Sequence, residues 1–169
     1  MLIRPRTEAD VVACVALMRR THEADGYPRY WRDDPAAFLR GAAEEAAWVA
    51  EDDDGTVLGH VGLHAAAGDP TLPAARRATG LPPDRLAVVA RLLVSPGARR
   101  RGVGRALLAR VTAQAHADGR RPVLDVLPED AGPVGLYEAA GWRRLEPLTL
   151  AVEGHPDLHL QVYLGPPPA

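Results

Sequence analysis

The stretch from Leu86 to Ala115 constrains the fold more than any other part of the chain. Leu86 to Ser95 is a nearly continuous apolar run closed by Pro96, the pattern of a buried strand. From Gly102 the apolar positions move to Val103, Leu107, Val111 and Ala115, a four-residue spacing that predicts a helix ending near Gly119. The connection reads Val94-Ser95-Pro96-Gly97-Ala98-Arg99-Arg100-Arg101-Gly102-Val103-Gly104-Arg105. A strand that turns through glycines into a helix start presents unpaired backbone N–H groups and the positive end of the helix dipole, which together suit a phosphate anion. Gly102 and Gly104 let the backbone come close to such a ligand, and Arg99, Arg100, Arg101 and Arg105 add positive charge.

Two other readings compete for this segment: a solvated, arginine-rich turn, and a patch for nucleic acid. The second conflicts with a net charge of -2 and a pI near 6.3, and with the lack of aromatics among the arginines. All 20 basic residues are Arg, a compositional bias alongside abundant Ala, Gly and Pro, so arginine number alone carries no weight. Two common nucleotide signatures also fail. A Walker A loop needs a lysine, and Leu107 stands where a dinucleotide fingerprint has its third glycine.

The rest of the chain reads as alternating strands and helices. Leu2 to Arg6 is a short strand, and Thr7 opens a helix carrying Val11 to Arg20. His22 to Asp34 is expected to be a loop, and Pro35 to Glu45 a second helix capped by Asp34. Ala46 to Glu51 and Thr56 to Ala66 flank Asp52-Asp53-Asp54-Gly55, a hairpin signal. Gly68 to Arg85 is expected to be a long loop with a helical turn at most. Pro122 to Leu127 is a strand, Ala131 to Ala140 a helix closed by Gly141, and Trp142 to Val152 and Leu158 to Leu164 are strands around Gly-His-Pro-Asp. The size fits one domain over residues 1–165, followed by a Pro-rich tail at 166–169.

Cys14, the single cysteine, lies among Val11, Val12, Val15 and Leu17 and reads as core filler, so no internal disulfide is expected. Met1 to Glu8 lacks the apolar segment of a signal peptide, and no stretch approaches the ~20 apolar residues of a membrane span. A soluble cytoplasmic protein without membrane or nucleic-acid partners is expected. No His/Cys/Asp/Glu spacing resembles a metal site, and none is expected.

Arg99-Arg100-Arg101-Gly102-Val103-Gly104 fits R/Q-x-x-G-x-G/A and resembles the pyrophosphate-binding motif of the GNAT superfamily of N-acetyltransferases. Downstream, Leu124, Val126, Leu136, Tyr137, Glu138 and Gly141 match the second signature of that superfamily. Trp142 stands for its Phe, Asp130 for its Asn and Pro133 for its Ala. The resemblance implies an α/β (α+β) fold, a twisted, mixed, mostly antiparallel sheet of about seven strands with helices on both faces, splayed between strands 4 and 5. It implies acetyl-CoA as cosubstrate, with the pantetheine along the backbone of Leu92, Leu93 and Val94 like an added strand, the pyrophosphate at Arg99 to Arg105, and a further contact at Asp130.

It also implies transfer of an acetyl group to a primary amine, on a small molecule or a peptide N-terminus, by direct attack in a ternary complex. The alternative is an acetyl-CoA-binding sensor or interaction module without catalysis. Tyr137 matches the position of the proton donor to the departing thiolate. A base is needed because an alkylamine with a pKa of about 10.4 is mostly protonated at neutral pH. Asp125 on the fifth strand aligns with an acid that some relatives use, and fits a solvent-facing carboxylate equally well. The fourth strand, where the family often has a Glu, is apolar around Val88. His60 and His64 share one face of the third strand if side chains alternate. The acceptor pocket is expected from His22 to Asp34, Gly68 to Arg85 and Glu153 to Asp157, with Tyr27, Tyr30 and Trp31 either walling it or pinning their loop to the core. Homodimers are common in the superfamily, and one is compatible with this chain.

Overall fold

A computed structural model describes all residues 1–169. Seven strands form one sheet in the order β1-β2-β3-β4-β5-β7-β6: Leu2–Pro5, Glu44–Glu51, Val57–Ala65, Leu86–Val94, Arg121–Val126, Arg143–Val152 and His155–Leu164 for β1 to β7. β1 with β2, β2 with β3, β5 with β7 and β6 with β7 are antiparallel, whereas β4 and β5 are parallel. The sheet is open and mixed, as the resemblance implies. The parallel ladder covers only Leu86–Val88 against Arg121–Val123, so it ends early in both strands. Five helices accompany the sheet: α1 (Val11–Asp25), α2 (Pro35–Arg40), α3 (Leu72–Thr79), α4 (Val103–Ala117) and α5 (Ala131–Ala139). Packing divides the chain into two compact units, Met1–His64 with Ala90–Val111, and Ala65–Val89 with Thr112–Ala169.

In the first unit, α1 and α2 bury Val11, Cys14, Leu17, Met18 and Leu39 with Val49 and Leu93 of the strands. Burial pushes the Cys14 thiol up to about 11, so it stays protonated and inert, as core filler should. The first turn is fixed by Asp10, whose carboxylate accepts from the Thr7 N–H at 2.7 Å and takes a two-pronged bond from Arg4 at 2.8 Å. Those bonds hold its carboxyl well below the usual range, against the opposing effect of burial. α4 covers the other side of β3. A Cβ added at Gly59 would stand 2.7 Å from Leu107 and 2.9 Å from both Val103 and the Leu93 carbonyl. Only a bare α-carbon permits that approach.

In the second unit, α3 packs Ala74 and Ala75 over Leu86, Val88, Val123, Val162 and Leu164. The opposite face of β5 and β7 receives α5, through Tyr137 against Trp142 and Tyr163 at ring separations of 5.9 and 6.0 Å.

Four boundaries differ from the sequence reading. α1 continues past Arg20 to Asp25 and stops at Gly26, which is left-handed at φ +70° and donates its N–H to the His22 carbonyl. α2 ends at Arg40 because Gly41 turns at φ +67°, and Glu44 already belongs to β2. The Asp34 cap is present, its carboxylate accepting from the Ala37 N–H at 2.9 Å. The expected loop from Gly68 to Arg85 contains α3, with Pro73 in its first turn and Gly80 closing it at φ +71°. Finally, β7 starts at His155, so the turn before it is only Glu153-Gly154.

Candidate active site

The connection between β4 and α4 begins with Ser95, whose N–H donates to the Leu58 carbonyl of β3 at 2.8 Å. A 3₁₀ turn over Pro96–Ala98 buries Ala98, and Val103 is buried at the helix start, so the loop is anchored at both ends. Between the anchors the chain turns through Arg100 at φ +60° and Gly102 at φ +81°. The Ala106 N–H donates to the Gly102 carbonyl, the first α-helical bond of α4. The N–H groups of Gly102, Val103, Gly104 and Arg105 therefore precede the intrahelical ladder and lack partners within it. Nothing lies within 4 Å of a Cβ built on Gly102, so the cradle is open. The fit to a pyrophosphate is good: backbone donors, a helix N-terminus and exposed cations meet in one loop. Of the four arginines, Arg99 is engaged with Asp25 at the end of α1, at 2.9 Å for Nη1 to Oδ1. Arg100, Arg101 and Arg105 carry the exposed positive charge.

Leu92 to Val94 follow an unusual residue. Arg91 sits mid-strand in β4 at φ +55°, a left-handed backbone that side chains other than glycine rarely adopt. Three contacts fix it. Its carbonyl accepts from Nδ1 of His60 at 2.9 Å, its own Nε donates to the Phe38 carbonyl at 2.9 Å, and its guanidinium lies 3.9 Å over the Phe38 ring. His60 is fully buried, and its Nε2 is 3.0 Å from Nη1 of Arg6. Arg6 can only donate, so Nε2 accepts and Nδ1 carries the proton. Arg6 in turn grips Glu44 at 3.0 and 2.5 Å, both side chains nearly buried. Burial, with help from the cations of Arg6 and Arg91 and from His64, lowers the His60 pKa to about 4, while the bond to the Arg91 carbonyl opposes that shift. His60 and His64 do share a face of β3, but His60 is a buried brace. His64 packs against Gly41, where a Cβ would meet its ring at 2.6 Å.

Two residues of the aromatic segment touch the core. Tyr27 and Trp31 pack against the α1–α2 cluster, and Trp31 lies 5.4 Å from the His22 ring under the Arg19 guanidinium. Of the acids in the His22 to Asp34 segment, Asp25 is paired with Arg99 and Asp34 caps α2.

In the second unit Tyr137 is buried on α5, and the neighbouring Glu138 accepts from the Tyr163 hydroxyl at 2.9 Å. Asp130 occupies the N-cap position of α5 without a side-chain bond to the first-turn N–H groups. Asp125 is exposed, lies opposite Val162 in the β5–β7 ladder and so shares the α3 face. Tyr137 lies on the other face, beside Tyr163. No three His, Cys, Asp or Glu side chains cluster as metal ligands, and no helix is long and apolar enough to cross a membrane.

An open mixed sheet with one short parallel ladder, a left-handed break in β4 and an anion cradle ahead of α4 defines an acyltransferase type of architecture. Residues 12–142 match the Acetyltransferase (GNAT) family, and the chain belongs to that family of acetyltransferases. Solved structures share the whole fold at low identity. A GCN5-related N-acetyltransferase from Kribbella flavida is 24% identical over 98% of this chain and 96% of its own, with a TM-score of 0.69. A ribosomal-protein-alanine N-acetyltransferase from Brucella melitensis is 20% identical over 97% and 98%, with a TM-score of 0.70. An acetyltransferase structure from Salmonella typhimurium, solved with its cofactor acetyl-CoA, is 20% identical over 96% and 91%, with a TM-score of 0.66. No curated protein matches the chain in sequence.

Proposed function

We propose that the protein is a cytoplasmic N-acetyltransferase that moves the acetyl group of acetyl-CoA to a primary amine by direct attack. The observation that carries this reading is the cradle at Gly102 to Arg105, with its open glycine, pre-ladder N–H groups and exposed arginines. Family membership and a relative solved with acetyl-CoA support the same ligand. In the reaction the amine nitrogen bonds to the thioester carbon, the carbon–sulfur bond breaks, the nitrogen gives up a proton and the thiolate receives one. We assign the backbone of Leu92 to Val94 to the pantetheine, Arg99 to Arg105 to the pyrophosphate and Asp130 to a further coenzyme contact. Tyr137 is assigned as donor to the sulfur and Asp125 as the acceptor of the amine proton. The two lie on opposite faces of the β5–β7 ladder, and the assignment of their roles rests on the matched family positions.

Gly104→Leu separates binding from folding. Gly104 lies in the first turn of α4, where Leu is a better helix former than Gly, so a thermal melt should show the fold kept while the side chain blocks close approach of the phosphates. Calorimetric titration should show acetyl-CoA affinity reduced by about 10-fold or more, the loss expected when charge-assisted bonds are removed. Unchanged affinity would remove the basis of the assignment. Thiol release with an amine panel tests turnover itself. Tyr137→Phe should lower kcat by about 10²-fold, the usual worth of general acid catalysis, and leave acetyl-CoA affinity in place. Undiminished kcat would take the donor role away from Tyr137.

A further inference from the structure

The buried array of Glu44, Arg6 and His60 ends on the carbonyl of Arg91 and so holds that residue in its left-handed conformation. A hydrophobic sheet position would not need it. Nothing in the sheet ladder requires an arginine there either, because glycine adopts φ +55° without cost. What the arginine adds is a guanidinium directed onto α2. One of its nitrogens, Nε, is used on the Phe38 carbonyl, and its plane lies over the Phe38 ring. A second guanidinium, that of Arg32, lies 5.4 Å from the centre of the same ring.

Two cations thus converge on one aromatic side chain, and neither is ion-paired. The nearby carboxylate of Asp34 is engaged with the Ala37 N–H. This differs from the treatment of four other arginines in the same unit. Arg4, Arg6, Arg40 and Arg99 all meet a carboxylate. Two neighbouring guanidinium groups without an acid repel each other, and a bound anion removes that repulsion. Arg91 retains both of its terminal nitrogens for a fork-shaped bond to a carboxylate. It also immediately precedes Leu92 to Val94, the segment assigned to the pantetheine of the cosubstrate.

We propose that Arg91, assisted by Arg32, is an acceptor-specificity residue that binds a carboxylate on the amine substrate, so that the acceptors are amino acids or similar carboxylate-bearing amines. The proposal rests on the transferase reading above and adds the acceptor class to it. Arg91 is held in place by His60 through its carbonyl and by Phe38 through its side chain, so the guanidinium meets the substrate already oriented.

The test measures thiol release from acetyl-CoA with the twenty standard amino acids and with the amine each yields on decarboxylation. The expected result is at least one amino acid with kcat/KM about 10- to 100-fold above that of its decarboxylated partner, the worth of a charged hydrogen-bonded pair. In Arg91→Gly, which accepts the backbone conformation, that ratio should collapse toward one through a rise in acceptor KM, with the KM for acetyl-CoA changed less than about threefold on the same scale. Arg32→Ala, at an exposed position, should lower the ratio by a smaller factor and guards against a folding defect in the first variant. Amines used as well as amino acids, or a preference that survives both substitutions, would overturn the proposal and leave the transferase standing. Acetyl-CoA binding without thiol release to any acceptor would instead overturn the transferase reading and this proposal with it.

Discussion

Arg91 and Arg100 are the only two residues other than glycine with a left-handed backbone, at φ +55° and +60°, and their surroundings could hardly differ more. Arg91 lies inside a strand and is secured by a buried histidine, a main-chain carbonyl and an aromatic ring. Arg100 lies exposed in the loop before α4. A left-handed residue of this kind costs about 1–2 kcal/mol. In the loop the next glycine, Gly102, already takes much of the turn, and the chain tolerates one strained residue beside it. In the strand the same conformation must be imposed against the ladder, and the molecule commits a buried ion pair and a buried imidazole to impose it. Strain that is over-determined by its surroundings marks a conformation the site requires, whereas the strain at the exposed turn of the phosphate loop is tolerated without being imposed.

The comparison breaks first at His60. His60→Leu leaves the Arg91 carbonyl without its donor and one N–H of Arg6 Nη1 without its acceptor, while the bond of that nitrogen to Glu44 remains; urea denaturation should show a loss of about 2–4 kcal/mol. The same histidine sets a pH dependence. Its folded pKa, about 4, lies below the unfolded value of about 6.5, so the unfolded chain binds more protons between those limits. Its contribution is complete above the unfolded pKa, declines as the pH falls below about 6.5 and is gone below about 4. The wild type should therefore lose stability steadily from pH 7 to pH 4.5, and His60→Leu should show a visibly shallower slope over that window. Equal slopes would mean that His60 is protonated in the folded protein and that the assigned tautomer is wrong.

How much of this was legible in the sequence follows from the range of the interactions. The strand, loop and helix from Leu86 to Ala117 were readable because each signal is local: an apolar run, a glycine at a turn, a four-residue period. The Asp52–Gly55 hairpin was readable for the same reason, with Asp52 accepting from the Thr56 N–H at 2.9 Å. α2 was overextended because Ala42, Ala43, Glu44 and Glu45 all favour helix. The pairing of Glu44 with Arg6 and with the β3 ladder overrides that preference. α3 was missed because its prolines and arginines look like loop composition, although Pro73 and Gly80 stand where a helix starts and stops. The array behind Arg91 had no local signal at all. Arg6, Glu44, His60 and Arg91 come from four strands or their edges and are brought together only by the sheet register. The alternation of His60 and His64 hinted at a shared face but not at its partners.

The smallest expected effect is at the other member of the pair. Arg100→Gly relieves the left-handed strain and loosens the unfolded chain, two changes of opposite sign that nearly cancel. Stability in urea should move by less than about 0.5 kcal/mol, as for other exposed sites without a specific contact. Acetyl-CoA affinity should fall only a few-fold, because an exposed cation near a phosphate is screened by solvent and by salt. Raising the salt concentration should reduce the difference between wild type and variant further. A drop in stability as large as that of His60→Leu would show that Arg100 is braced as firmly as Arg91, and the contrast between the two left-handed residues would then no longer distinguish an imposed conformation from a tolerated one.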